Sequence, residues 1–176
     1  MAVTKEFKTA GDYWSEMVEP DFQEHQADIA DLRRALHSAG SLFHMADWIY
    51  QTHPAAVSSA FTFLDRKGIS CTVTDEIEFA NALQQQSVDF GRIRGIANAS
   101  KHLVLRSPGA VPDAPSHAAN TRVATTGWGQ GPFGKGPFGG TPRVMLEAAN
   151  GDLEFADIAA NVRQMWLNLN AAHHWW

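Results

Sequence analysis

Arg94, Asn98, Lys101 and His102 have the types and the spacing to handle a phosphate. At 3.6 residues per turn they share one helix face, with His102 at its margin, so a guanidinium, a carboxamide, an ammonium and an imidazole converge on whatever lies beside it. Fixed cations stabilise charge that develops on a phosphodiester in its transition state, and a histidine near neutral pKa beside them suits proton transfer. In that reading Arg94 and Lys101 face the phosphate, His102 moves the proton and Asn98 supports it. Arg92 and Arg106 lie close in sequence and extend the cationic patch along a nucleic acid. A second reading uses the same residues as an internal charge network, with the cations paired to carboxylates of other helices, for instance Asp47 or Asp89.

The cluster sits where a helix should bury its apolar side. Phe79, Leu83, Phe90 and Ala97 fall on one face, and Arg94, Asn98 and Lys101 continue that same stripe. Burying a guanidinium and an ammonium is costly unless they are paired or border a cleft or an anion, so this end of the helix should line a pocket, a groove or an interface. The helix that carries it is expected to be capped by Thr74, to open on Asp75-Glu-Ile-Glu and to run to about His102, weakened but not stopped by Gly91 and Gly95.

The rest of the chain supplies the elements around it. Residues 4–18 read as a short lead-in interrupted by Gly11 and stopped by Pro20. From Asp21, read as an N-cap, to about His53, apolar positions Ile29, Leu32, Leu36, Ala39, Phe43, Ala46 and Tyr50 recur at three and four, which predicts a long core helix ended by Pro54. Its other face, with Arg33, His37, Ser41, His44, Asp47 and Gln51, reads as a solvated stripe. A short helix over 55–66 ends at Lys67-Gly68, and residues 69–73 form an extended linker. After His102 come β-prone runs at 103–106, 120–126 and 143–149, a hairpin signal at Asn150-Gly151 and a short last strand at 152–154. A closing helix runs from about Phe155 to Trp176, and its His173-His-Trp-Trp end would expose aromatics suited to partner contact. The expected architecture is mainly α: one domain, a four-helix-type bundle with a small antiparallel β insertion at about 103–154.

Composition narrows the function classes. A chain of 176 residues that is 44% hydrophobic buries a core, and a net charge of −5 argues against a general nucleic-acid or membrane surface, so any anion site is local. A lone Cys71, read as a small buried apolar position, fits a reducing compartment. Without a signal-like start or a run of about 18 apolar residues, a soluble cytoplasmic protein is expected.

Gly129 to Gly136 nearly spells the G-x-x-x-x-G-K-[ST] phosphate loop, but Gly136 replaces the hydroxyl residue and Pro137 follows where a helix should start, so nucleotide triphosphate is not expected. What remains is a Gly-Pro-Phe-Gly unit repeated at 131–134 and 136–139, read as a long loop or a flap over a groove. His37 and His44 share a face with Asp47 but stand two turns apart, so no metal and no cofactor is assigned.

The long helix with Ala35-Leu-His-Ser-Ala-Gly-Ser-Leu-Phe-His-Met-Ala-Asp-Trp48, followed by a helix ending Arg94-x-x-Ala-Asn98-x-x-Lys101-His102, resembles the HEPN superfamily of helical-bundle domains. Within it, the likeness is to bacterial proteins with an Asn-x-x-Lys-His helix end, strands, a glycine-rich loop and a closing helix with an aromatic like Trp166. The resemblance implies a bundle, dimerisation and, where an Arg-x(4–6)-His signature is present, metal-independent RNA cleavage across the dimer. Here seven residues separate Arg94 from His102, so the signature is not intact. Two functions follow: an RNA-directed enzyme or binder, and a non-catalytic helical module that dimerises or binds a protein partner.

Overall fold

A computed structural model describes residues 6–105, 111–125 and 140–176. Arg106 and residues 126–139, which carry the repeated Gly-Pro-Phe-Gly unit, lie outside the described residues. Thr9 and Asp12 form a capping box, with the Asp12 N–H on Thr9 Oγ1 at 3.0 Å and the Thr9 N–H on Asp12 Oδ2 at 2.8 Å, and start α1 (Ala10–Tyr13). The helix does not stop at Pro20. It widens into a π-helical turn at Trp14–Val18 and continues as α2 (Glu19–Ala27) with Pro20 in its first turn. Proline lacks an N–H and crowds the carbonyl four residues back; the π turn shifts the hydrogen-bond frame, here from Glu19 N–H to Trp14 O, and makes room.

The long helix expected from Asp21 therefore begins ten residues later. Asp28 Oδ1 accepts from Ala30 N–H at 3.2 Å and Asp31 Oδ1 from Arg34 N–H at 3.1 Å, so two aspartates close a turn and cap α3 (Leu32–Thr52). α3 is the central helix of the bundle, burying Ala35, Ala39, Leu42, Met45, Ala46 and Ile49 against its neighbours. Ser38 and Ser41 are buried as well, so the solvated stripe is narrower than the periodicity implies.

α4 (Pro54–Ala60) ends before the aromatics that were expected to extend it. Thr62–Leu64 is β1 and pairs antiparallel with β2, Ser70–Thr72, so the second half of the expected 55–66 helix and the expected linker are a hairpin instead. Gly68 takes φ +76° in its turn, and Asp65 Oδ1 accepts from the N–H groups of Lys67 and Ile69 at 2.8 Å each. Cys71 is half-buried on β2 rather than enclosed. Gln85 turns its side-chain amide onto β1, accepting from Leu64 N–H and donating to Leu64 O, both at 2.8 Å.

The expected single helix over 75–102 is two. Asp75, rather than Thr74, caps α5 (Glu76–Gln86), and Ser87 breaks the run with φ −137° while its hydroxyl accepts from Phe90 N–H to start α6 (Val88–His102). The apolar stripe survives the break, because Phe79, Leu83, Phe90 and Ala97 are all buried. Gly91 and Gly95 belong to a close approach: a Cβ on Gly91 would lie 2.5 Å from Val111 Cγ2, and one on Gly95 would lie 2.7 Å from Pro115 Cδ.

Residues 103–105 do not form a strand; Val104 makes a single bridge to His117. The sheet consists of β3 (Thr121–Thr125), β4 (Pro142–Leu146) and β5 (Leu153–Glu154), antiparallel in chain order. Gly151, at φ +114°, provides the turn between the last two. Val144 N–H donates to Ile29 O at 2.9 Å and ties the sheet to the α2–α3 turn. α7 (Phe155–His173) closes the bundle, with Trp166 fully buried and its indole N–H on Leu42 O at 3.0 Å. The terminal tryptophans are not exposed as expected. Trp175 is buried with its carbonyl on His53 Nε2, and Trp176 stacks on Trp14 at 5.1 Å while its backbone is held by Asn170. Among the described residues no helix is long and apolar enough to cross a membrane.

Candidate functional site

Helix α6 packs along α3, and the polar residues of both helices meet at this seam. Arg94 reaches across α5, donating from Nη1 to Asn81 Oδ1 at 2.7 Å and to Gln84 Oε1 at 3.1 Å, with its guanidinium carbon 6.0 Å from the centre of the Phe43 ring. Burial pulls the Arg94 pKa below its ordinary value and the charge of Asp47 pushes it back up, so Asp47 is near enough to feel the guanidinium without bonding it.

Two turns along α6, Lys101 Nζ lies 2.9 Å from His44 Nε2, and His44 Nδ1 lies 2.8 Å from Asp47 Oδ2. These contacts favour one tautomer. An ammonium only donates and a carboxylate only accepts, so the tautomer that satisfies both contacts carries its hydrogen on Nδ1 toward Asp47 and accepts on Nε2. His44 and Asp47 keep 34% and 38% of their side-chain surface in solvent, which leaves the pair open to a ligand.

The half-buried arginines show what is unusual here. Among the described residues Arg34 pairs with Asp31, Arg92 with Asp89, Arg143 with Glu154 and Arg163 with Glu19. Arg94 is the exception, half-buried and held by neutral amides alone. No protein-family model, curated protein or solved structure matches this chain. The geometry of the seam therefore carries the functional argument.

The structure brings together only some of the residues singled out from the sequence. Arg94 and Lys101 share the seam, with half-buried Asn98 between them on the same face of α6. His102 is exposed at the last residue of α6, eight positions from Arg94, which is about 12 Å along the axis. The hydrogen bonds of Arg94 run away from His102 to α5, so the two do not form one contact pair. Arg92 is spent elsewhere: it bonds Asp89 at 2.8 Å and reaches Asp113 at 3.5 Å, with 18% of its side chain exposed. Arg106 lies outside the described residues.

The residues that replace His102 at the seam are His44 and Asp47. Their i,i+3 spacing was visible as a helix face, but a polar face reads as solvated until its neighbour is known. That face continues toward the N-terminus of α3, where burial raises the Asp21 carboxyl pKa against a hydrogen bond from Ser41 and the charge of His37. Tyr13, stacked on Trp48 at 5.1 Å, is pushed well above the ordinary phenol range by burial first and then by Asp21 and Asp47. Among the described residues no group of three or more His, Cys, Asp or Glu side chains is placed to hold a metal ion.

Proposed function

We propose that the α3–α6 seam is an anion site that holds the phosphodiester backbone of single-stranded RNA, in a bundle of the HEPN kind. The observation that carries this reading is the charge on Arg94. A half-buried guanidinium with no carboxylate bonded to it has lost hydration with only the unbonded charge of Asp47 to offset the loss, and a phosphate would supply a direct counter-charge and a pair of acceptor oxygens for the guanidinium fork. Lys101, on the same face and held by an imidazole rather than an acid, adds a second cation within reach of the same strand. The acidic net charge then restricts binding to this seam instead of opposing it.

The test is fluorescence anisotropy of mixed-sequence single-stranded RNA across a salt series, with the wild type and an Arg94→Gln/Lys101→Met double variant checked for folding by circular dichroism. Removing two phosphate contacts should weaken binding and flatten the salt slope by about 1.4, at about 0.7 per single-strand phosphate. Wild-type affinity and slope in the double variant would sink the reading, as would absence of binding by the wild type. A second reading, a non-catalytic interaction module, is favoured by Arg92, whose pairing with Asp89 and Asp113 makes part of the sequence cluster a structural clamp. In that case Asn81 and Gln84 with the Phe43 ring and the charge of Asp47 are the setting of Arg94, and RNA binding is absent.

A further inference from the structure

We infer that β2 is a contact surface for a second copy of this chain, which lays its own β2 antiparallel along the free edge and joins the two hairpins into one sheet. The alternation of the hairpin decides which backbone groups are free. Asp65 N–H bonds Ile69 O, so Phe63 and Cys71 turn their groups toward each other while Leu64, Ser70 and Thr72 turn theirs outward. On the β1 side Gln85 already takes the outward groups of Leu64. On the β2 side Ser70 and Thr72 are exposed, and among the described residues nothing bonds their outward N–H and C=O groups. That free run ends at Thr74, whose carbonyl accepts from the Tyr50 hydroxyl.

The sequence around this edge is complementary to itself. With Cys71 opposite its counterpart, Ser70 faces Thr72 of the copy, Ile69 faces Val73, and the Arg66-Lys67 turn comes beside Asp75-Glu76 at the start of α5. Each residue lies as far before Cys71 as its counterpart lies after it. Among the described residues Arg66, Lys67 and Glu76 have no ion pair within their own chain, so their charges are open to a neighbour. A parallel copy in the same register would set Arg66 and Lys67 against themselves, which like-charge repulsion opposes. Ile69, 57% exposed on the face of Cys71, gains an apolar neighbour in the antiparallel arrangement, and Gly68 brings no side chain against Thr74. So short an edge buries less than the roughly 1,200 Å² of a standard interface, which makes the pair reversible, with its charged flanks setting direction and register. The contact uses neither the α3–α6 seam nor a helix face, so it holds or fails apart from the phosphate reading.

The experiment is sedimentation equilibrium of the full chain over a concentration series at low and high salt, with wild type and the Thr72→Pro, Arg66→Glu and Glu76→Arg variants, each checked for folding by circular dichroism. Proline at 72 removes an outward N–H and leaves the bonds between β1 and β2 intact. Wild-type mass should rise from one copy toward two with concentration, less so at high salt, and Thr72→Pro should weaken the pairing by about tenfold or more. Arg66→Glu and Glu76→Arg should each pair poorly alone, because each sets like charges together at both ends. Mixed in equal amounts they should pair as the wild type does, since the mixed pair restores opposite charges at both ends. Cys71 provides a second readout: facing residues at such a position lie about 4.5 Å apart between Cα atoms, within disulfide reach, so diamide should link wild-type copies through Cys71 and link Thr72→Pro far more slowly. A wild type that stays single at every concentration overturns the inference. So does pairing that Thr72→Pro leaves unchanged, or a mixture of the two charge variants that pairs no better than either alone.

Discussion

Replacing Gly91 by alanine isolates the close approach between α6 and the segment at 111–115. In an exposed helix interior the change should stabilise by about 1 kcal/mol, because glycine is that much poorer than alanine as a helix residue. At Gly91 the added methyl would meet Val111 Cγ2 at 2.5 Å, Cγ1 at 2.6 Å and Cβ at 3.1 Å. Both branches of the valine are struck, so rotating its stiff χ1 exchanges one clash for another, and the strap or the helix must move. Overpacking of this kind costs about 1–3 kcal/mol, and with both branches involved the upper half of that range applies. After the gain in propensity, Gly91→Ala should destabilise by about 1–2 kcal/mol, or about 2–8 °C in Tm for a chain of this size. Gly40→Ala is the internal control, since nothing lies within 4 Å of its Cβ, and it should stabilise instead. Val111→Ala should rescue Gly91→Ala, with a coupling of about 1–2 kcal/mol in a double-mutant cycle from urea melts. If Gly91→Ala stabilised the protein as Gly40→Ala does, the strap would not lie on α6 and the reasoning would be refuted.

Acid should loosen the joint between α2 and α7. His25 is fully enclosed, edge-on to Phe155 at 4.8 Å with neither ring nitrogen bonded, and burial lowers its pKa below the ordinary 6.5 against the pull of Asp28 and Asp31. The unfolded chain therefore binds the proton more readily, so this contribution is whole above about pH 6.5 and falls as pH drops toward the folded value; urea melts at pH 7.5 and 5.5 should differ in that direction, and His25→Phe should flatten the difference. Deleting Trp175 and Trp176 should lower the melting temperature by several degrees without changing the mass seen by light scattering, because both rings pack inside their own chain. A change of mass with an unchanged melt would restore the terminal aromatics to a dimer contact.

The helices were legible wherever one periodicity ran without a competing local bond. α7 keeps its spacing from Phe155 to Trp166 and starts where expected, but it ends at His173, capped by His174 at φ +54°, instead of running on to Trp176. The start of α3 was not legible, because Ile29 fits the apolar pattern while the aspartates on either side of it form the turn. Ser87 hid its break in the same way, with buried Leu83 and Phe90 in register across it. The candidate site divides along the same line. Arg92 with Asp89 is a contact three residues apart, and Asp89 was among the partners foreseen. Lys101 with His44 spans 57 positions and depends on how α3 and α6 lie together, which no periodicity on either helix encodes.

The amide of Gln85 has a consequence beyond the hairpin it touches. By bonding both the N–H and the carbonyl of Leu64 it occupies the outward hydrogen-bonding positions of β1, as one residue of a neighbouring strand would. Leu64 and Ile69 are more than half exposed at this hairpin, so an open ladder beside them would be a template for another copy to add a strand. A side chain that imitates a strand for one residue denies that register to an intruder while leaving the hairpin only two strands wide. Gln85→Ala would therefore show itself less in the melting curve than in the concentration at which the protein first begins to self-associate.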